Sequence, residues 1–223
     1  MANQKLKELL IDTMKFLGEK HKELASVAKS IAGDGSPEGK VTATKGTVYT
    51  DNQITLGVSQ WIKTTPNGNT GWKVLNGDTG WVEITNATTR KNTSNKVWIR
   101  RVNERVTWKF GGGSYDWFGI VARSNASWRG LYKGGKIYHT YICPPNSNLI
   151  PVGFRSPNSL IGQFYSDLTN KAFGVWKLGG VNDRNQFRLE FFDQEDAEKA
   201  IDDIRFDTIT YLTDDPWPTS LTA

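Results

Sequence analysis

VWIRRVNERVTWKF, residues 97–110, contains the clearest hairpin signal of the chain. Apolar and polar residues alternate on both sides of the turn Asn103-Glu104, and a two-residue loop pairs Ile99 with Trp108. One face then holds Val97, Ile99, Val106, Trp108 and Phe110, and the other holds Trp98, Arg100, Arg105, Thr107 and Lys109. The pattern predicts a sheet that buries its apolar face. Its basic face is either solvated or contacts the acidic C-terminal stretch or a neighbouring subunit.

The chain after this hairpin consists of short β-prone segments separated by glycine, proline, asparagine and serine. Examples are KIYHTYIC at 136–143, LIGQFYS at 160–166 and AFGVWKL at 172–178. Many short strands with such turns are typical of sandwiches and jelly rolls. We therefore predict an all-β fold in which residues 87–223 form a β-sandwich or jelly-roll-like head.

A repeat precedes the hairpin: NGNTGW at 67–72 returns as NGDTGW at 76–81. Each copy has a turn-forming Asn-Gly followed by Gly-Trp at the start of a strand. This indicates a small β module over residues 47–86, with Trp61, Trp72 and Trp81 filling its core. The alternative for these tryptophans is stacking against carbohydrate.

The N-terminal segment has helical periodicity, with Leu10, Leu17, Leu24 and Ile31 one heptad apart. We predict a coiled-coil helix over residues 1–33, followed by a Gly/Pro linker at 34–46. A helix with one apolar stripe needs partners to bury it. The heptads allow a dimer, trimer or tetramer, and the alternative is an amphipathic helix docked on its own domain.

The charge pattern argues against nucleic acid as a partner. The chain has 223 residues and a net charge of +5, but its basic and acidic residues are segregated. Residues 90–136 hold eleven Lys or Arg against two acids, and residues 190–215 hold ten acids. These stretches most simply neutralise each other, which leaves little positive surface for phosphate.

The sequence contains no motif that predicts catalysis, a metal site or a cofactor. It lacks the G-x-S-x-G, H-E-x-x-H and phosphate-loop motifs. The single cysteine, Cys143, excludes an intrachain disulfide and favours synthesis in a reducing cytoplasm. No apolar run is long enough to predict membrane insertion. The carboxylate pairs Asp202-Asp203 and Asp214-Asp215 leave glycoside hydrolysis as an alternative.

The stretch from Ser36 to Thr85 resembles a module of minor tail and receptor-binding proteins from bacteriophages of Gram-positive hosts. The matching positions are Gly46, Thr47, Tyr49, Asp51, Trp61, Lys63, Asn69–Trp72, Val74 and Gly77–Trp81. The hairpin, the PVGFRS segment and the ending IRFDTITYLTDDPWPTSL are similar to distal head regions of such proteins.

This resemblance implies a virion tail protein, assembled in the host cytoplasm as a homotrimer through its N-terminal helices. Its other implied partners are tail or baseplate proteins and a host cell-wall polysaccharide. Planar loop aromatics and nearby polar groups would then contact sugar. The predicted ligand-binding residues are Tyr115, Trp117, Trp128, Tyr132, Asn182, Asp183 and Arg184. The alternatives are a tail-associated polysaccharide-degrading enzyme and a purely structural adaptor.

Overall fold

The computed structural model describes residues 2–27, 30–84, 96–111, 130–131, 136–166, 170–180, 184–196 and 204–221. The chain is mostly β with one N-terminal helix, which confirms the predicted all-β class with a leading helix. It divides into a first unit, residues 1–55 and 59–75, and a second unit, residues 56–58 and 76–223.

The described elements are one α-helix, one 3₁₀ turn and fourteen strands. The helix α1 spans Ala2–Val27, and the 3₁₀ turn spans Thr55–Gly57. The strands are β1 (Ser30–Gly33), β2 (Val48–Asp51), β3 (Val58–Lys63), β4 (Trp72–Gly77), β5 (Val82–Glu83), β6 (Lys96–Val102), β7 (Arg105–Gly111), β8 (Gly130–Leu131), β9 (Lys136–Cys143), β10 (Leu160–Ser166), β11 (Ala172–Leu178), β12 (Phe187–Asp196), β13 (Ile204–Phe206) and β14 (Thr210–Leu212).

The helix is shorter than the heptads predict. Strand β1 begins at Ser30 and pairs in parallel with β2, so that Ile31 lies opposite Tyr49. A β-carbon at Gly33 would lie 2.6 Å from the Tyr49 hydroxyl, so glycine permits this close approach. The prediction of a helix through residue 33, with Ile31 in its seam, is therefore wrong. Within the described residues, no helix is long and apolar enough to cross a membrane.

The segment predicted as a linker is tied to the first unit by hydrogen bonds. The Glu38 carboxylate accepts hydrogen bonds from the amides of Gly71 (3.1 Å) and Trp72 (2.7 Å). The Asn69 side chain donates to the Gly39 carbonyl at 2.9 Å. Residues 34–46 thus form an ordered loop, because backbone amides of the 67–72 turn need acceptors and Glu38 supplies them.

The first unit contains a four-stranded sheet in the order β1-β2-β3-β4. Tyr49, Trp61 and Trp72 are buried, and the rings of Tyr49 and Trp72 meet edge to face at a centroid distance of 5.9 Å. The prediction that Trp61 and Trp72 are core residues is confirmed. Trp81 is 43% exposed, so its assignment to this core is wrong.

The second copy of the repeat therefore differs from the first. Asn76 and Gly77 end strand β4 instead of forming a turn. The Gly77 carbonyl accepts a hydrogen bond from the backbone amide of the hairpin residue Asn103, and the Gly77 amide donates to the Asn103 side-chain oxygen. Residues 76–84 belong to the second unit, because Val82 and Ile84 are buried in its core. The boundary expected at residue 86 thus lies at Leu75.

The second unit contains a four-stranded sheet, β14-β7-β6-β5, and a six-stranded sheet, β13-β10-β11-β12-β9-β8. The β6–β7 hairpin has the predicted register, with Ile99 opposite Trp108 and Val102 opposite Arg105. Its predicted apolar face is buried, since Val97, Ile99 and Val106 have no exposed surface. Asn103 adopts a positive φ of 53° at the turn, a conformation that asparagine tolerates well.

Side chains from both sheets form one hydrophobic core in this unit. The Trp108 ring from β7 lies 5.2 Å from the Phe187 ring of β12, measured between centroids. The Trp108 indole nitrogen donates to the Tyr211 hydroxyl at 3.1 Å, and that hydroxyl donates to the Phe154 carbonyl. The polar groups of Trp108 and Tyr211 are thereby satisfied, as burial demands.

Arg101 is a buried cation on the apolar face of the hairpin. Only 4% of it is exposed, and its guanidinium stacks over the Trp217 ring at 4.9 Å. It donates hydrogen bonds to four carbonyls, those of Asn103, Gly153, Asp215 and Pro216, at 2.7–3.1 Å. Burial lowers its pKa to about 10, while the charges of Asp215 and Glu104 oppose that shift. The side chain therefore stays protonated at neutral pH.

Replacing Arg101 with methionine tests this buried cation. The variant leaves buried carbonyls without donors, so we expect Arg101→Met to lower the free energy of unfolding by about 3 kcal/mol. Arg105→Met is the matched control, because Arg105 is exposed on the same hairpin. Denaturant unfolding measures both, and equal stabilities for the two variants would contradict the role of Arg101.

The buried carboxylate of Asp51 makes the first unit sensitive to acid. Burial raises its pKa, but hydrogen bonds from the amides of Gly35, Gln53 and Thr55 outweigh that effect and the net pKa is lowered. A carboxyl with a lowered folded-state pKa contributes stability above its unfolded pKa of about 3.9, and this contribution is lost as the pH falls through the folded-state value.

Asp51→Asn should therefore destabilise the protein by about 2 kcal/mol at pH 7. The difference in stability between the variant and the wild type should shrink as the pH falls below about 4, because the wild-type carboxylate then becomes protonated and loses its charge. Thermal unfolding of both proteins across this pH range provides the measurement. A difference that is independent of pH would refute the assignment.

Candidate functional site

The outer face of the β5–β6–β7 sheet carries an exposed tryptophan surrounded by cations. Trp81 immediately precedes β5, and β6 pairs with β5 so that Trp98 lies opposite Glu83. Trp98 also pairs with Lys109 across β6 and β7. Because side chains alternate along a strand, the residues between the buried Val97, Ile99 and Arg101 point to this outer face. We call Trp81, Trp98, Arg100, Lys109 and Asp78 the Trp81 surface.

Lys109 lies between the two indoles of this surface. Its ammonium nitrogen is 4.5 Å from the ring centroid of Trp98 and 5.4 Å from that of Trp81. Gly111 makes room for Trp98, because a β-carbon there would lie 3.3 Å from the ring. Such cation–π contacts fix the ring orientations and lower the entropy that a ligand must remove on binding.

Arg100 approaches Trp81 from the neighbouring strand position. Its guanidinium carbon lies 5.9 Å from the Trp81 centroid, and its Nε donates to Asp78 Oδ1 at 2.8 Å. A second hydrogen bond joins Arg100 Nη2 to Asp78 Oδ2, so the pair is bidentate. The hydrogen bond from Arg100 lowers the pKa of Asp78, and the same pairing raises the pKa of Arg100. Both groups are thus charged at neutral pH.

Trp81 is unusual among the tryptophans of the described residues. Trp61, Trp72, Trp108, Trp176 and Trp217 are at most 8% exposed, whereas 43% of Trp81 is accessible. A planar apolar ring at the surface, flanked by hydrogen-bond donors and a carboxylate, suits a flat ligand with both apolar and hydroxyl edges. Sugars have this chemistry.

Most of the ligand-binding residues predicted from the sequence lie outside the described residues. These are Tyr115, Trp117, Trp128, Tyr132, Asn182 and Asp183. The structure places only Arg184, and it lies in a network that joins chain segments. Arg184 donates to the carbonyls of Arg155 and Ser156 and pairs with the carboxylates of Asp214 and Asp215. Its predicted role as a ligand contact finds no support in these bonds.

The Asp214-Asp215 pair also serves this network. Asp215 is only 7% exposed at its side chain, and its Oδ2 accepts hydrogen bonds from the amides of Gly153 (2.9 Å) and Arg155 (3.2 Å). The Asp202-Asp203 pair lies outside the described residues. Within the part of the chain that is described, no group of three or more His, Cys, Asp or Glu side chains is placed to hold a metal ion.

The sequence held a signal for the Trp81 surface, although it did not single the surface out. Strand alternation put Trp98, Arg100 and Lys109 on one basic face, and carbohydrate stacking was the alternative for Trp81. What was missing was the pairing of β5 with β6, which brings Trp81 beside that face. No protein-family model, curated protein or solved structure matches this chain.

Trp81→Ala tests whether this surface binds ligand. Because the ring is exposed, we expect folding stability to change little. If the surface binds an oligosaccharide, the affinity should fall about tenfold through lost stacking. Trp81→Phe retains an aromatic face and should keep part of the affinity. Isothermal titration calorimetry gives the affinities, and full binding by Trp81→Ala would remove this surface from consideration.

Proposed function

We propose that this chain is a homotrimeric receptor-binding protein of a bacteriophage tail, which attaches the virion to a host cell-surface glycan without catalysis. The observation that supports it best is the exposed Trp81 ring, held beside Lys109 and Arg100 on a rigid sheet. A rigid aromatic with adjacent donors recognises sugars at low entropic cost. The resemblance of residues 36–85 to phage tail modules supports the biological setting.

The helix α1 supports the trimer. Seven of its apolar side chains are 52–66% exposed, namely Leu6, Leu9, Leu10, Ile11, Met14, Phe16 and Leu17. At 100° per residue, Leu6, Leu10 and Leu17 share one stripe, whereas Ile11 lies on the charged side. A stripe left exposed in one chain is buried when identical chains form a coiled coil. The helix provides the stalk, and the two sheets of the second unit form a β-sandwich head.

Trimerisation accounts for how a shallow site would attach a virion. A single sugar contact on one open surface binds weakly, since much of the ligand stays solvated. Three linked heads raise the effective concentration of the second and third sites, which increases avidity by about 10²–10⁴. In the proposed assembly the tail or baseplate proteins hold the stalk, and the heads meet the cell-wall polysaccharide.

The double variant Leu10→Ser/Leu17→Ser tests the link between assembly and attachment. It removes two seam residues, so we expect the variant to sediment as a monomer. Its retention on purified Gram-positive wall polysaccharide should fall by a factor of about 10² or more. Ile11→Ser is the matched control, since Ile11 is similarly exposed but lies off the stripe. It should remain trimeric and bind fully.

Three results would overturn the proposal. Release of reducing sugar from the wall preparation would make the protein a hydrolase. Absence of retention of the wild type on every wall preparation would favour a structural adaptor. Undiminished retention of a monomeric Leu10→Ser/Leu17→Ser variant would separate attachment from assembly.

A further inference from the structure

A second surface of the second unit has the chemistry of a ligand site. A groove of about 380 Å³ opens on the six-stranded sheet, and its lining includes Ser159, Ile161, Lys177, Gly180, Gln186 and Arg188. It lies on the face opposite the core, because the alternate residues Leu178, Phe187 and Leu189 are buried in that core.

The strand register arranges four side chains in a row across this face. Ile161 pairs with Lys177, Lys177 pairs with Arg188, and Arg188 pairs with Tyr141. With adjacent strands about 4.8 Å apart, the row from Ile161 to Tyr141 extends about 14 Å, which is long enough to accommodate a disaccharide. The row offers an apolar side chain at one end, two cations in the middle and an aromatic ring at the other end.

The two cations are only partly neutralised. Lys177 and Arg188 face each other directly, a placement that costs stability for like charges. Glu190 compensates by giving one carboxylate oxygen to each, at 2.6 Å from Lys177 Nζ and 2.6 Å from Arg188 Nη2. Among the described side chains, one carboxylate against two cations leaves a local charge of +1. None of the described residues that line the groove is acidic.

We propose that this groove binds a sugar that carries a single carboxylate, such as a uronic acid residue of a polysaccharide. The carboxylate pairs with Lys177 and Arg188, where it completes the charge balance that Glu190 leaves open. Gln186 and Ser159 supply hydrogen bonds to hydroxyls, and Ile161 supplies apolar contact within the groove. Tyr141, the strand neighbour of Arg188, offers its ring at the end of the row. The inference does not rest on the Trp81 surface, because the groove lies on the other sheet.

The test uses the full-length protein and calorimetric titration with three probes. These are a disaccharide with one uronic acid residue, its carboxyl-reduced neutral form, and inorganic phosphate. We expect the acidic disaccharide to bind at least tenfold more tightly than either of the other two. Equal binding of the neutral form would overturn the charge assignment. Equal binding of phosphate would mean an adventitious ion only.

Two variants with opposite expected effects locate the binding in the groove. Lys177→Gln should weaken binding of the acidic disaccharide about tenfold, whereas Glu190→Gln should strengthen it several-fold because the local charge rises to +2. Lys40→Gln, at an exposed site in the first unit, is the control for net charge. Weakened binding in both groove variants, or an unchanged affinity in both, would overturn the proposal.

Thermal unfolding checks that the groove variants fold. The Trp81→Ala variant distinguishes failure of this inference from failure of the proposed function. Trp81→Ala should keep the full groove affinity, because Trp81 lies on the four-stranded side of the unit. If the acidic disaccharide binds normally to Trp81→Ala but wall attachment is lost, the groove remains the site of the disaccharide and the Trp81 surface is a separate site. If Trp81→Ala abolishes binding of the acidic disaccharide, the groove is not its site.

Discussion

The second unit depends on the burial of one positive charge, the guanidinium of Arg101. A buried cation is tolerated only where hydrogen bonds replace its hydration, and here four carbonyls and the Trp217 ring do so. Those carbonyls come from the hairpin turn, the loop at Gly153 and the C-terminal segment at 215–216. Arg101 therefore joins three segments that are far apart in sequence. Asp215 and Arg184 extend the same network with a second set of ionic and backbone contacts.

This network explains which parts of the fold the sequence could predict. The β6–β7 register followed from local alternation and a two-residue turn, and both are short-range properties of the chain. Arg101 lies opposite Val106 in this hairpin, on the face that alternation directs toward the core, so the pattern implied that it is buried. The hydrogen-bond partners of Arg101 could not be predicted, because carbonyl acceptors 52–115 residues away leave no pattern in a single sequence.

The errors at Ile31 and Trp81 have a similar origin. The heptad spacing of Ile31 is a local signal, but a parallel pairing with β2 takes that residue into a sheet. Trp72 and Trp81 end the two similar copies of a six-residue repeat. Trp81, however, precedes β5, which belongs to the second unit, so the two indoles have different surroundings. In both cases tertiary pairing overrides a local preference. The basic face with Trp98 was predictable, while the position of Trp81 beside it required knowledge of the sheet order.

The proposed function combines these features. Rigid sheets present shallow surfaces with aromatic rings and paired charges, and such surfaces bind weakly unless several act together. The exposed apolar stripe of α1 provides the means to join them. The most direct measurement is therefore the mass of the wild-type chain in solution by sedimentation equilibrium over a wide concentration range. The account predicts three times the chain mass of 25.0 kDa, and a single-chain mass at high concentration would contradict it.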